Sequence, residues 1–332
     1  MRTHRAAPRA AAEDRLTSIA SSAFVPPGFV GVAAAVRAAA PSLAAVASLQ
    51  WQGPRVLALC DGSIDLAPEV FNGIEAAARD AMLDAAAIPC GTSITTAVNV
   101  FLIEDGARVF LVDAGMGRFG GPTMGWLVES LALAGLAPGD ITDIVLTHLH
   151  RDHCGGLIDA EGESLFRAAR VHVVKIEHDH WCDPQRAAAA SDATRRFFDV
   201  ALQTMSAVRD QLQLVAVDAQ LSERIRLAPA PGHTVGHVAV WISPDAARTP
   251  PLCIWGDIVH CAALQIPSPG ITVRFDSDPV TAERTRRDLL QAAVHRGFVV
   301  AGAHIPFPGL ARIVAHGDSF AHRPLNNNGD TA

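Results

Sequence analysis

The sequence contains no tyrosine, no pair of cysteines at CxxC spacing, no cluster of lysine and arginine, and no unbroken apolar run that would span a bilayer. Each absence narrows the field. The six cysteines, Cys60, Cys90, Cys154, Cys182, Cys253 and Cys261, are scattered through 332 residues, which fits reduced thiols in a large core and excludes a small disulfide framework. The 27 Lys and Arg against 34 Asp and Glu leave a net charge of -7, and no basic stripe offers itself to a phosphate backbone, so no nucleic-acid partner is expected. An uncharged stretch runs from Leu16 to Val36 behind Arg2, Arg5 and Arg9, but it carries Pro26-Pro27, which breaks a helix and argues against a membrane span. Glu13-Asp14 interrupts the basic region an export signal would need, although Ala38-Ala39-Ala40 offers a small-residue cleavage zone; a cytoplasmic location is expected over a periplasmic or secreted one.

What is present describes a globular body, with 49% hydrophobic and 18% charged residues. The first 50 or so residues are Ala-rich and differ from the rest. They are expected to form a poorly ordered or helical extension (1–50), followed by one domain (51–324) and a flexible tail (325–332) containing Asn326-Asn327-Asn328-Gly329-Asp330. Within the domain, Thr147-His148-Leu149-His150-Arg151-Asp152-His153 follows the apolar run Ile144-Val145-Leu146. Neutral imidazole and carboxylate are ligands that zinc and similar divalent ions prefer, and a loop leaving a strand end can turn several of them to one point. A solvated His-rich turn is the competing explanation, disfavoured because clustered, unpaired His and Asp are costly beside a buried strand end.

Further polar residues close later strand-like segments. Pro231-Gly232-His233-Thr234-Val235-Gly236-His237 follows Ile225-Arg226-Leu227, Asp257 follows Cys253-Ile254-Trp255-Gly256, and His304 follows Phe298 to Ala303. In this order along the chain the set resembles the metallo-β-lactamase superfamily, over roughly residues 55–324. Within it, Asp113 to Thr123, the Trp181 region, Arg196-Phe197-Phe198, Phe275-Asp276-Ser277-Asp278 and Ala303 to Gly309 look like the methyl parathion hydrolase branch, near the lactonases.

The resemblance implies an αββα sandwich, two central mixed sheets flanked by helices, where the pattern alone gives only mixed α and β. It implies two divalent metal ions, Zn first, with Mn, Co or Fe also accepted. His148, His150 and His233 would hold one, and Asp152, His153 and His304 the other. Asp257 would bridge them, and Asp152 and Asp257 would be the catalytic carboxylates. A metal-bridging hydroxide would attack neutral esters: lactones or aryl esters, with organophosphate triesters as a side activity. Asp113 would accept the other N–H of a ligating imidazole, and Phe119, Trp181 and Phe197 would line an aromatic substrate pocket. Many lactonases of this superfamily place a tyrosine beside the metals, and this chain has none, which counts against that specific activity. His237 and His260 are expected to pack near the ligands, His172, His178 and His180 to lie on the surface, and Cys154 to be a packing residue. The expected partner is a small-molecule ester, with homodimer assembly left open. The alternatives are an iron-dependent oxidoreductase on the same fold and a catalytically silent, metal-stabilised binding protein.

Along the chain, Val56 to Cys60 and Ile64 to Leu66 suggest a hairpin around Asp61-Gly62-Ser63, and residues 97–103 and 109–112 a second one around Glu104-Asp105-Gly106. Trp126, Leu127, Leu131 and Leu133 recur at helical spacing. Later strands are expected over 171–174, 212–217, 237–242, 252–255 and 298–301, and long helices over 193–211 and 280–295.

Overall fold

The computed structural model describes residues 35–36, 44–49, 51–89, 91–247 and 249–325. In chain order the strands are β1 (Ala35–Val36), β2 (Ala45–Leu49), β3 (Arg55–Leu66), β4 (Phe71–Asn72), β5 (Ile94–Asp105), β6 (Arg108–Val112), β7 (Asp143–Val145), β8 (Arg170–Val174), β9 (Leu212–Val215), β10 (Ile225–Pro229), β11 (Val238–Ile242), β12 (Leu252–Ile254), β13 (Thr272–Val273), β14 (Val299–Ala301), β15 (Leu310–His316) and β16 (Ser319–Pro324). The helices are α1 (Ala76–Ala85), α2 (Leu127–Leu133), α3 (Arg151–Cys154), α4 (Lys175–Trp181), α5 (Pro184–Ala189), α6 (Asp192–Ala207), α7 (Ala262–Gln265) and α8 (Pro279–Arg296).

Two large sheets form, in the orders β1-β2-β3-β5-β6-β7-β8-β9 and β10-β11-β12-β14-β15-β16, with β13-β4 as a small third. Successive side chains of a strand point to opposite faces, and both faces of the first sheet are apolar. Val56, Ala58, Phe101, Ile103, Phe110 and Val112 point inward onto Ile225, Leu227, Val238, Val240 and Ile254 of the second sheet. Leu57, Leu59, Val100, Leu102 and Leu111 point outward beneath Leu127 and Leu131 of α2 and Phe198, Ala201 and Met205 of α6. The far face of the second sheet, with Trp241, Cys253, Val300 and Ala311, is covered by Leu290 and Ala293 of α8. The layers are thus α, β, β, α, as expected.

Local chemistry sets the long helices. Ser191 accepts from the Thr194 amide at 3.3 Å to start α6, and Asp278 accepts from the Thr281 amide at 3.1 Å to start α8, with Pro279 behind it. Such caps contribute about 1 kcal/mol each. Gly297 ends α8 at φ 68°, a left-handed position that favours glycine.

Three expectations are corrected. There is no hairpin around Asp61-Gly62-Ser63: β3 runs through it, paired to β5 along its whole length, with a register shift between Cys60 and Gly62. The Asp-Gly pair marks a bulge, with Gly62 at φ 133° and the Thr123 carbonyl where a β-carbon would stand. Bulging turns Asp61 inward, where it accepts from the amides of Met116, Gly125 and Leu127 at 2.8, 3.3 and 3.1 Å. Second, His172 is buried rather than superficial, with Nε2 2.8 Å from Asp143 Oδ1; His178 and His180 are half-buried. Third, the first sheet takes in Ala35–Val36 and Ala45–Leu49, both on the N-terminal side of the expected boundary at residue 51. The rest of the expected extension (1–34 and 37–43), Gln50 and tail residues 326–332 lie outside the described residues. The expected hairpin at Gly106 forms as β5-β6.

Parallel pairing positions the site. β6, β7 and β8 run parallel, as do β12 and β14, so their C-terminal ends collect along one edge of the sandwich. Asp113, Thr147-His148, Asp257 and His304 all follow such ends.

Candidate metal centre

Seven side chains from separate loops meet at this edge in two groups that share one member. His148, His150, His233 and Asp257 form one, and Asp152, His153, Asp257 and His304 the other, with donor atoms in each group within 4.8 Å of one another. Asp257 divides its oxygens between them. Its Oδ2 lies 3.2 Å from His233 Nε2 and 3.7 Å from His148 Nε2, while Oδ1 lies 3.1 Å from His153 Nε2 and 3.3 Å from His304 Nε2. Asp152 Oδ2 completes the second group, 3.4 Å from His304 Nε2 and 3.6 Å from His153 Nε2. All seven residues expected from the motifs are brought together.

The site suits cations. His148 Nε2, His153 Nε2 and Asp257 Oδ1 are buried with no hydrogen-bond partner among the described residues. Buried polar atoms in that condition cost free energy that a bound ion removes. Imidazole nitrogen with carboxylate oxygen is the donor set that zinc takes readily.

Supporting groups fix which nitrogen each ring presents. His153 Nδ1 lies 2.9 Å from Asp113 Oδ2, His233 Nδ1 2.9 Å from Asp276 Oδ1, and His304 Nδ1 2.7 Å from the Ala97 carbonyl. These oxygens only accept, so each Nδ1 carries the proton and Nε2 faces inward. Asp113 also accepts from the Thr147 amide and hydroxyl at 2.8 and 2.9 Å, and holds φ 65°, which an aspartate tolerates better than most residues. Glu177, wholly buried, accepts from the Leu149 amide at 3.0 Å and the Gly236 amide at 2.8 Å, tying the two histidine loops together. A β-carbon at Gly236 would fall 2.7 Å from Glu177, so glycine is required there.

Charge separates the rings. Burial pushes His233 down, but Asp257 and Asp276 outweigh it and raise the ring to about 9. Burial likewise opposes, and Asp257 and Asp152 overcome it, at His304, raised to about 10. His148 and His150 are held well below the usual imidazole range by burial and by neighbouring histidines. Asp257 lies well below the carboxylate range: the surrounding histidines outweigh burial.

His237 and His260 fall outside both groups. His237 is fully engaged, accepting from the Asp257 amide at 3.1 Å through Nε2 and donating to the Ala230 carbonyl at 2.9 Å through Nδ1. His260 Nε2 lies 3.1 Å from Asp257 Oδ2 and its ring stacks on His304 at 5.1 Å. Cys154 points away, its thiol accepting from the Thr204 hydroxyl at 3.6 Å, and burial raises it to about 12.

Above the donor groups opens a cavity of about 70 Å³, walled by Ile64, Leu66, Phe197 and Phe275 with Arg151 and Arg196. Of the three aromatics expected there, only Phe197 lines it, its ring 4.6 Å from that of His150. Trp181 is buried behind His150, 5.1 Å away, against Phe198. Phe119 is absent from the lining: the positive-φ glycines 115 and 117 redirect the chain, and Phe119 packs over Gly155 and the outer core. Glu177 and the lining Ile64, Leu66 and Thr96 carried no spacing signal, while Arg151 and Phe275 stood inside motif segments without being singled out as site residues. Asp276 lay within a segment singled out by resemblance, but its bond to His233 needs the fold.

Comparison with known proteins agrees. The sequence profile of the metallo-β-lactamase superfamily matches residues 94–245. A "Beta-lactamase-like protein 2 homolog" of Caenorhabditis elegans is 27% identical over 160 residues, 48% of this chain. The match spans 45% of that relative's length. Among solved structures, AidC, described as a dizinc quorum-quenching lactonase in complex with a product, N-hexanoyl-L-homoserine, is 26% identical, with a TM-score of 0.78 over 85% of this chain and 98% of its own. AbOPH, described as a hydrolase in the β-lactamase superfamily, is 25% identical, with a TM-score of 0.78 over 83% of this chain and 96% of its own. The chain belongs to the metallo-β-lactamase superfamily, and its two His/Asp groups sharing Asp257 fit the dinuclear site of a metal-dependent hydrolase. No helix among the described residues is long and apolar enough to cross a membrane.

Proposed function

We propose that this protein hydrolyses small-molecule esters, lactones or aryl esters, with phosphotriesters as a side activity, placing it with the methyl parathion hydrolase and lactonase branch. The observation that carries the reading is the division of Asp257 between two donor groups, because a carboxylate shared in this way holds two cations rather than one. His148, His150 and His233 would hold one ion, and Asp152, His153 and His304 the other. Zn is the expected metal, with Mn, Co or Fe accepted by the same donors. When bound, such a pair supplies Lewis acidity and a water acidified toward neutral pH.

The chain's own residues do the rest. Asp257 fixes the spacing of the two groups. Asp152, the most exposed carboxylate of the set at 13%, faces the cavity; its Oδ2 would help hold the second ion, leaving Oδ1 to take the proton of the attacking water and return it to the leaving oxygen. Asp113, Asp276 and the Ala97 carbonyl keep three imidazoles in the tautomer that presents Nε2. Ile64, Leu66, Phe197 and Phe275 exclude water from the bond under attack and receive the apolar part of the substrate. The two solved neighbours, a lactonase and a hydrolase at 25–26% identity, support the branch.

The test is a panel of lactones, aryl esters, phosphotriesters and β-lactams offered to metal-reconstituted protein. Lactones or aryl esters should show the highest kcat/KM and phosphotriesters a lower one. Turnover of β-lactams alone, or of none of the panel, would contradict the reading.

A further inference from the structure

Two arginines at the mouth of the cavity have no role in the chemistry described above. Arg151 begins α3 directly after His150, is half-buried, and its guanidinium makes no hydrogen bond or ion pair among the described residues. Arg196 lies on α6 beside Phe197, and among the described residues its side chain makes one hydrogen bond, from Nε to the Ala193 carbonyl at 3.0 Å. Arg108, Arg55 and Arg286, by contrast, are matched: Arg108 chelates Asp143, Arg55 meets Glu104 at 2.9 Å, and Arg286 donates to three carbonyls. The carboxylates of the cavity cannot serve Arg151 and Arg196, because Asp152 and Asp257 are engaged with histidines. Two uncompensated guanidinium groups therefore face the entrance of a protein whose net charge is -7.

Size adds a second constraint. The cavity is small, about 70 Å³, so a substrate with a long acyl or alcohol part extends beyond it. The lining beyond the donor groups is apolar at Ile64, Leu66 and Phe275 and cationic at Arg151 and Arg196. A wholly neutral ester gains nothing from the cationic side, whereas an oxyanion there gains charge-assisted hydrogen bonds to planar donor forks.

We infer that the preferred substrate is an ester or lactone bearing an oxyanion, a carboxylate or a phosphate, several bonds from the scissile carbonyl, received by Arg151 and Arg196. The inference rests on the ester-hydrolase reading and narrows its substrate class. The negative net charge is no obstacle: it disfavours a polyanion, whereas a single charged group responds to the local field at the mouth.

The experiment compares mono-4-nitrophenyl adipate with 4-nitrophenyl hexanoate, two esters of one chain length that differ in ending in carboxylate or methyl. For the metal-loaded protein, kcat/KM should favour the adipate at least about fivefold at low salt, less at high salt. The preference should fall at least about threefold in Arg151→Gln or Arg196→Gln and vanish in the double variant. A third ester ending in phosphate separates the two oxyanions. Calorimetric binding of the corresponding anilides of adipic and hexanoic acid reads the same preference without turnover. Equal or reversed preference in the wild type, or a preference unmoved in the double variant, would overturn the inference while leaving the ester reading intact. If neither ester is hydrolysed faster than in buffer, the ester reading falls, and the anilide preference alone decides whether the mouth selects anions.

Discussion

Asp257 illustrates how one side chain comes to carry two tasks. It follows β12, where Gly256 at φ 53° leaves room for His237 Nε2, and its amide is held by that nitrogen. The carboxylate is thereby fixed between two sets of imidazoles, with Oδ1 and Oδ2 facing different partners. Asp257→Asn replaces one oxygen by a donor that cannot bind a cation, so one of the two groups should lose affinity. We expect kcat/KM to fall at least about 100-fold, with metal content reduced and the fold retained by circular dichroism. Near-native kcat/KM with unchanged metal content would show that Asp257 does not join the groups.

At the scale of elements, the end of the parallel strands opposite the metal centre is pinned by Asp143 at the start of β7. Its carboxylate, wholly buried, takes Arg108 Nε at 2.9 Å and Nη2 at 2.6 Å, His172 Nε2 at 2.8 Å and the Thr142 hydroxyl at 2.8 Å, linking β6, β7 and β8. Burial alone would raise Asp143, but bonds from His172, Arg108, Thr142 and Arg170 outweigh it and hold the group well below the carboxylate range. A depressed carboxylate contributes stability that is present above the unfolded value near 4 and is lost as pH falls below it toward the folded value. Asp143→Asn should therefore cost about 3 kcal/mol at pH 7 by leaving Arg108 poorly paired. The gap to wild type should narrow by about 1.4 kcal/mol per pH unit below 4. Urea unfolding of both chains, each stripped of metal by chelator, checks this at pH 7, 4 and 3; a gap constant with pH would contradict it.

Legibility follows the range of the interactions at this scale. Helices α6 and α8 were readable because caps at Ser191 and Asp278 and the apolar period are local. Asp61-Gly62 was misread because a tight turn and a bulge ask the same of a glycine, and only pairing with β5, some 30 residues on, distinguishes them. His172 looked superficial for the same reason, its partner Asp143 being 29 residues distant. The seven site residues were legible because superfamily resemblance ordered them along the chain. Phe119 and Trp181 lie away from the cavity lining, because which way an aromatic turns from a loop or helix depends on packing such as that over Gly155 and behind His150.

Across the whole molecule, the two sheets bring to one edge four loops that are distant in sequence, and the shared apolar layer holds them there. Neither donor group is complete without residues from both sheets, since His148, His150, Asp152 and His153 follow β7 while His233, Asp257 and His304 follow strands of the second sheet. The central claim is that this edge holds two ions on one shared carboxylate, and the most direct test is elemental analysis of protein purified under metal-replete conditions. Two ions per chain is the predicted ratio, and a ratio near one, unchanged on adding Zn or Mn, would contradict it.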